Sequence, residues 1–187
     1  MEEFPHLYWT AQAAHYIDLI LEDFGKLDRI ANVILMVRRI TNYIYKNEWI
    51  VNYMKKFTNG REIIIPGITR FSTNFFSLQS PVRQKTALRD MLESRERLNL
   101  RLGRSKDLAA KEVCQLILPS TKEALLFWKH ADEVLKLFES LVRVLRLVNG
   151  GDKPTMGFIY EAMERGKLAI KGKLRHTKMY PWVIDKR

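Results

Sequence analysis

Apolar residues recur at steps of three and four along most of this chain, the spacing of helices that each turn one face into a shared core. From Ala11 to Phe24 the repeat runs through Ala13, Ala14, Ile17, Ile20, Leu21 and Phe24, and Gly25 is placed to stop it. Leu27 to Tyr45 carries Ile30, Val33, Ile34, Val37, Ile40 and Ile44 on one stripe. A third helix is predicted over Glu48–Phe57, ended by the turn signal Thr58-Asn59-Gly60. Pro66-Gly67 breaks the chain again. Arg70–Leu78 and Val82–Leu92 then read as short helices hinged at Pro81, because proline disfavours the helical conformation of the residue before it.

Glu93 to Lys106 is charged and weakly periodic, and reads as an exposed loop. Asp107–Leu118 returns to helical spacing, and Pro119 ends it. Ser120 stands three residues before Glu123 in a capping-box arrangement, opening a helix that continues to Val148 with at most one bend or break. Asn149-Gly150-Gly151-Asp152 marks a turn, and Pro154 suits the first turn of a last helix reaching about Lys171. Only His6–Thr10 and Arg61–Ile65 look strand-like. No internal repeat, low-complexity tract or Gly/Ser linker divides the chain. The expected fold is mostly α, a helical bundle with a short strand at its front.

Charge narrows the partners. Lys and Arg number 32 against 21 acids, a formal net charge of +11 with an isoelectric point near 9.8. Such an excess favours a polyanion, either nucleic acid or an anionic membrane surface. The longest nearly apolar stretch, Ile30–Val37, is interrupted by Asn32 and too short to cross a bilayer. The start, Met1-Glu-Glu-Phe-Pro5, lacks the basic and apolar regions of a signal peptide. A soluble intracellular chain is expected. Cys114 is the only cysteine, which excludes an intrachain disulfide and a cysteine-rich zinc site, and it reads as a small hydrophobe on a helix.

His15, Asp18 and Glu22 fall along one line of the first helix. That line suits either a divalent metal or proton relay, or a solvated polar face opposite the apolar stripe. No HExxH, G-x-S-x-G, P-loop or G-x-G-x-x-G motif accompanies it. Two basic clusters stand out. One comprises Arg95, Arg97, Arg101, Arg104 and Lys106; the other Arg165, Lys167, Lys171, Lys173, Arg175 and Lys178, beside Tyr180 and Trp182. Each either holds a phosphate backbone without reading sequence or stands as a solvated charged face, and the aromatics can stack on bases or dock onto their own core.

Specific residues go further. Pro5-His-Leu-Tyr-Trp-Thr10 with Gln12–Asp23, Lys55–Ile63, Pro66–Asn74, Phe127-Trp128, Leu141–Val148, Lys153–Met163 and Ile184–Arg187 together resemble the middle of plant-type hAT (hobo–Activator–Tam3) transposase-like proteins. The resemblance covers nearly the whole chain. It implies a ribonuclease H-like core interrupted by a large all-helical insertion, with residues 1–10 as a remnant strand of that core and 11–187 as the insertion-like domain. In the family, two Asp and one Glu hold Mg²⁺ for strand transfer, because hard cations prefer oxygen ligands. The family pattern puts both Asp before the segment matched by Gln12–His15, and the Glu beyond the insertion in a dimerisation segment. None finds a counterpart here, nor does the family's BED-type zinc finger.

Two departures matter. Gln12 stands where the family's Cys-x-x-His signature has Cys, leaving His15 as the match, and Phe71 stands where many members have Trp after Arg70. By resemblance that aromatic stacks on a displaced base; a phenyl ring keeps a π-face of smaller area, and packing in a helical core is the other use for it. The expected function is a transposon-derived, catalytically incomplete nuclear protein, not an enzyme and without a cofactor, associated with DNA. His15, Arg70, Phe71, Arg101, Arg104, Lys171, Lys173 and Arg175 are the candidate contacts. The alternatives are a helical protein-interaction module, with partners of transposase origin, or a fragment of a larger active transposase.

Overall fold

A computed structural model describes residues 11–65, 71–96, 108–149, 161, 164–168 and 172. Seven helices account for most of them: α1 (Ala11–Gly25), α2 (Asp28–Tyr45), α3 (Glu48–Phe57), α4 (Phe71–Arg83), α5 (Lys85–Glu93), α6 (Leu108–Ile117) and α7 (Lys122–Asn149). The mostly helical class expected from the apolar spacing is what forms. No described helix is long and apolar enough to cross a membrane.

The chain divides into two compact units, Leu27–Leu135 and a second that joins Met1–Lys26 to Lys136–Arg187. In the first, α2 packs against α3, α4 and α6, while α5 packs against α3, α4 and α6. The α2 stripe read from the sequence is the one that buries: Ile30, Val33, Ile34, Val37, Ile40 and Ile44 are all inside, with Thr41 among them. Thr41 satisfies its buried hydroxyl by donating to the Val37 carbonyl at 3.0 Å, so a polar atom enters the stripe without an unmade bond. Ile50, Tyr53 and Met54 of α3, Leu88, Met91 and Leu92 of α5, and Val113, Leu116 and Ile117 of α6 complete the core with Phe127 and Trp128 of α7.

In the other unit Ile17, Ile20, Leu21 and Phe24 of α1 are buried, as are Leu137, Phe138, Leu141, Val142, Val144 and Leu145 of α7. Phe24 meets Phe138 edge to face with ring centres 5.4 Å apart. Residues 164–168 are helical, and the buried Gly166 lies where an added Cβ would stand 3.6 Å from Leu141 Cδ2.

Local chemistry explains the boundaries. Helix α3 ends in a Schellman motif: Asn59 takes a left-handed φ of 53°, Gly60 follows at φ 76°, and the Gly60 N–H donates to the Lys55 carbonyl at 2.9 Å. Thr58, buried, donates its hydroxyl to the Arg61 carbonyl at 2.6 Å, which fixes the turn from its other side.

Five expectations are corrected. The segment 61–65 is neither strand nor helix. Its backbone is held by side chains instead of by a partner strand: Tyr45 Oη donates to the Ile63 carbonyl at 2.7 Å, and the Ile64 N–H donates to Ser80 Oγ at 3.1 Å. Pro81 does not hinge the chain. It lies inside α4, whose ladder resumes beyond it with Gln84 N–H donating to the Ser80 carbonyl at 3.2 Å, and the break falls at Gln84. Thr121, not Ser120, caps α7, its hydroxyl oxygen accepting from the Ala124 N–H at 3.1 Å while donating to the Gln115 carbonyl at 2.8 Å. Arg95 and Glu96, placed in an exposed loop by their charge, are exposed but helical. Helix α7 then runs 28 residues as one α-helix, without the break allowed for it. Asn149, expected to open the turn that runs to Asp152, still belongs to α7. Residues 150–152 of that turn, the remnant strand at 1–10, and Lys171, Lys173, Arg175 and Lys178 lie outside the described residues.

Candidate nucleic-acid interface

Of the eight candidate contacts, the structure describes His15 in full, exposed on α1. Phe71 is the first residue of α4, and the description covers its backbone alone. Arg70, Arg101, Arg104, Lys171, Lys173 and Arg175 lie outside the described residues. The line from His15 does not assemble a metal site: among the described residues no group of three His, Cys, Asp or Glu side chains could hold an ion. Asp18 is half-buried, with Oδ1 shielded from solvent and no hydrogen-bond partner among the described residues. Glu22 is engaged by Lys26 at 2.9 Å, and Lys26 also reaches Asp23 at 3.3 Å. Those two carboxylates hold the Lys26 ammonium above its ordinary pKa.

Positive charge is concentrated in the Leu27–Leu135 unit, which holds 19 Lys and Arg against 11 Asp and Glu. Several cations are locally neutralised. Arg29 pairs with Glu133 at 2.7 Å and Lys55 with Glu62 at 2.6 Å, the latter raising the Lys55 pKa. Arg39 and Lys56 approach Glu112 and Glu96 at 3.9 Å, too loosely to count for much at an exposed surface. Lys46, Arg61, Arg83, Lys111, Lys122 and Lys129 are exposed and have no acidic partner among the described residues.

Sequence reading missed one concavity. Val82, Lys85, Leu125, Trp128, Lys129 and Asp132 line a cleft of about 370 Å³. The Lys85 ammonium sits over the Trp128 ring, 5.0 Å from its centre. Burial, helped by the nearby Arg89 charge, lowers the Lys85 pKa, with Asp132 pulling the other way. Leu125, Trp128, Lys129 and Asp132 recur at steps of three and four, so their shared face was legible; that Lys85 of another helix closes over it was not. Cys114 forms no disulfide and is half-buried on α6. Searches of protein-family models, of curated proteins and of solved structures found no match to this chain.

Proposed function

We propose that this chain is a transposon-derived, catalytically incomplete relative of hAT-type transposases that associates with DNA in the nucleus. The observation that carries the DNA part is the excess of cations over acids in the sequence of the Leu27–Leu135 unit, 19 against 11. With it go six exposed cations, Lys46, Arg61, Arg83, Lys111, Lys122 and Lys129, that have no acidic partner among the described residues. Phosphate is the counter-ion such a surface suits, because phosphate contact needs positive charge and no particular geometry of base edges. The binding is therefore electrostatic and tolerant of sequence. The family assignment rests on the sequence blocks between Pro5 and Arg187. Within those residues nothing corresponds to the family's two Asp and one Glu, so no catalytic step and no Mg²⁺ is assigned to them.

Salt titration tests this reading. Anisotropy of a labelled duplex should show affinity falling steeply with salt, each neutralised phosphate contributing about −0.9 to the log–log slope. Reversing Lys111 or Lys122 to Glu should weaken every duplex alike and flatten the slope by about one for each phosphate no longer neutralised. No binding to duplex, hairpin or single-stranded DNA at low salt would remove DNA association from the proposal.

A further inference from the structure

We propose that the cleft lined by Val82, Lys85, Leu125, Trp128, Lys129 and Asp132 is a docking site for an acidic peptide segment that inserts one large apolar side chain. The concavity is a feature the DNA reading does not use, although both readings draw on the same excess of cations. The cleft holds about 370 Å³, the scale of a small binding pocket. Its open wall is aliphatic: Leu125 is 57% exposed, and Val82 is half-buried beside it. The aromatic wall is closed, since Trp128 is only 3% exposed and Lys85 covers its ring at 5.0 Å. An incoming base would therefore find no free face to stack on. Asp132 also lines the cleft, and a phosphodiester has no N–H to offer its carboxylate.

A peptide meets each of these features. An apolar side chain covers Leu125 and Val82, flanking carboxylates pair with Lys85 and Lys129, and Asp132 accepts a backbone N–H. Complementarity extends beyond the cleft, because the Leu27–Leu135 unit carries 19 cations against 11 acids. Burial already weakens the hold of Lys85 on its proton, and a carboxylate beside it would restore that hold.

Panning displayed random peptides against the whole chain tests the assignment. Enriched peptides should share one Leu, Ile, Met or Phe flanked by Asp or Glu. Leu125→Asp and Lys129→Glu, both at exposed positions, should each weaken them about tenfold or more. Leu126→Asp, equally exposed but outside the cleft, should leave binding intact and controls for general damage. Failure to enrich any peptide, enrichment without acidic residues, or equal binding by the Leu125→Asp variant would overturn the proposal. So would equal loss with Leu126→Asp. Displacement of the peptides by oligothymidylate that itself depends on Leu125 would assign the cleft to nucleic acid instead.

Discussion

The indole N–H of Trp128 donates to the Ile117 carbonyl at 3.3 Å, so a side chain of α7 satisfies the last residue of α6. Arg89 Nε–H reaches the same oxygen at 3.4 Å from α5. A helix leaves its final carbonyls without partners, and a buried orphan is costly. Trp128→Phe keeps most of the ring but removes the better donor, and should cost about 1–2 kcal/mol. Trp128→Ala removes the ring as well and should cost about 3–5 kcal/mol. Urea unfolding of the two variants against the parent chain measures both.

The cap of α7 separates two neighbouring hydroxyls. Thr121→Ala should destabilise by about 1 kcal/mol, since Thr121 Oγ1 accepts from the Ala124 N–H and ties back to Gln115. Ser120→Ala should change the denaturation midpoint little. Equal losses at the two positions would contradict the cap.

Glycine substitutions should move stability in opposite directions. At Gly60, φ is +76° and alanine would be strained by about 1–2 kcal/mol although nothing crowds its Cβ. At Gly166 an added Cβ meets Leu141 Cδ2 at 3.6 Å and Val144 Cγ2 at 3.9 Å, ordinary contacts. Alanine there should stabilise by about 0.5–1 kcal/mol through helix propensity. Thermal melts of the two variants give the signs directly.

His130 predicts a dependence on pH. Burial lowers its pKa below 6.5, with Arg29 and Lys129 acting in the same direction and Glu133 opposing. The unfolded chain then takes up the proton first as pH falls, so stability from this group is present above 6.5 and lost on descending through and below it. His130→Gln should shrink the fall in melting temperature between about pH 8 and about pH 5. An unchanged fall would show that His130 titrates alike in both states.

Where one residue's neighbours in sequence decide its fate, the fold was readable. The α2 stripe, the start and end of α3 and the Thr58-Asn59-Gly60 turn follow from local spacing and backbone preference. Reading failed where a distant partner supplied the missing bond. Ile63 and Ile64 have strand-like chemistry, yet Tyr45 and Ser80 take their backbone groups. The capping-box pattern favoured Ser120, but the Gln115 carbonyl holds Thr121 in the capping position. Of the candidate site, exposure of His15 was the part that spacing made legible. The cleft depends on Lys85 reaching Trp128 from another helix, a pairing no local pattern encodes.

The Schellman turn also bears on chemical ageing. Asn-Gly is the dipeptide most prone to deamidation, because the glycine amide nitrogen can attack the asparagine side chain to close a succinimide. Here that nitrogen is committed to the Lys55 carbonyl at 2.9 Å, with Asn59 locked in a left-handed conformation. Ring closure must wait for the end of α3 to open, so the rate of isoaspartate formation at residue 59 becomes a clock for local fraying. The product would add negative charge at a helix C-terminus, where the helix dipole disfavours it, so damage there would favour further fraying.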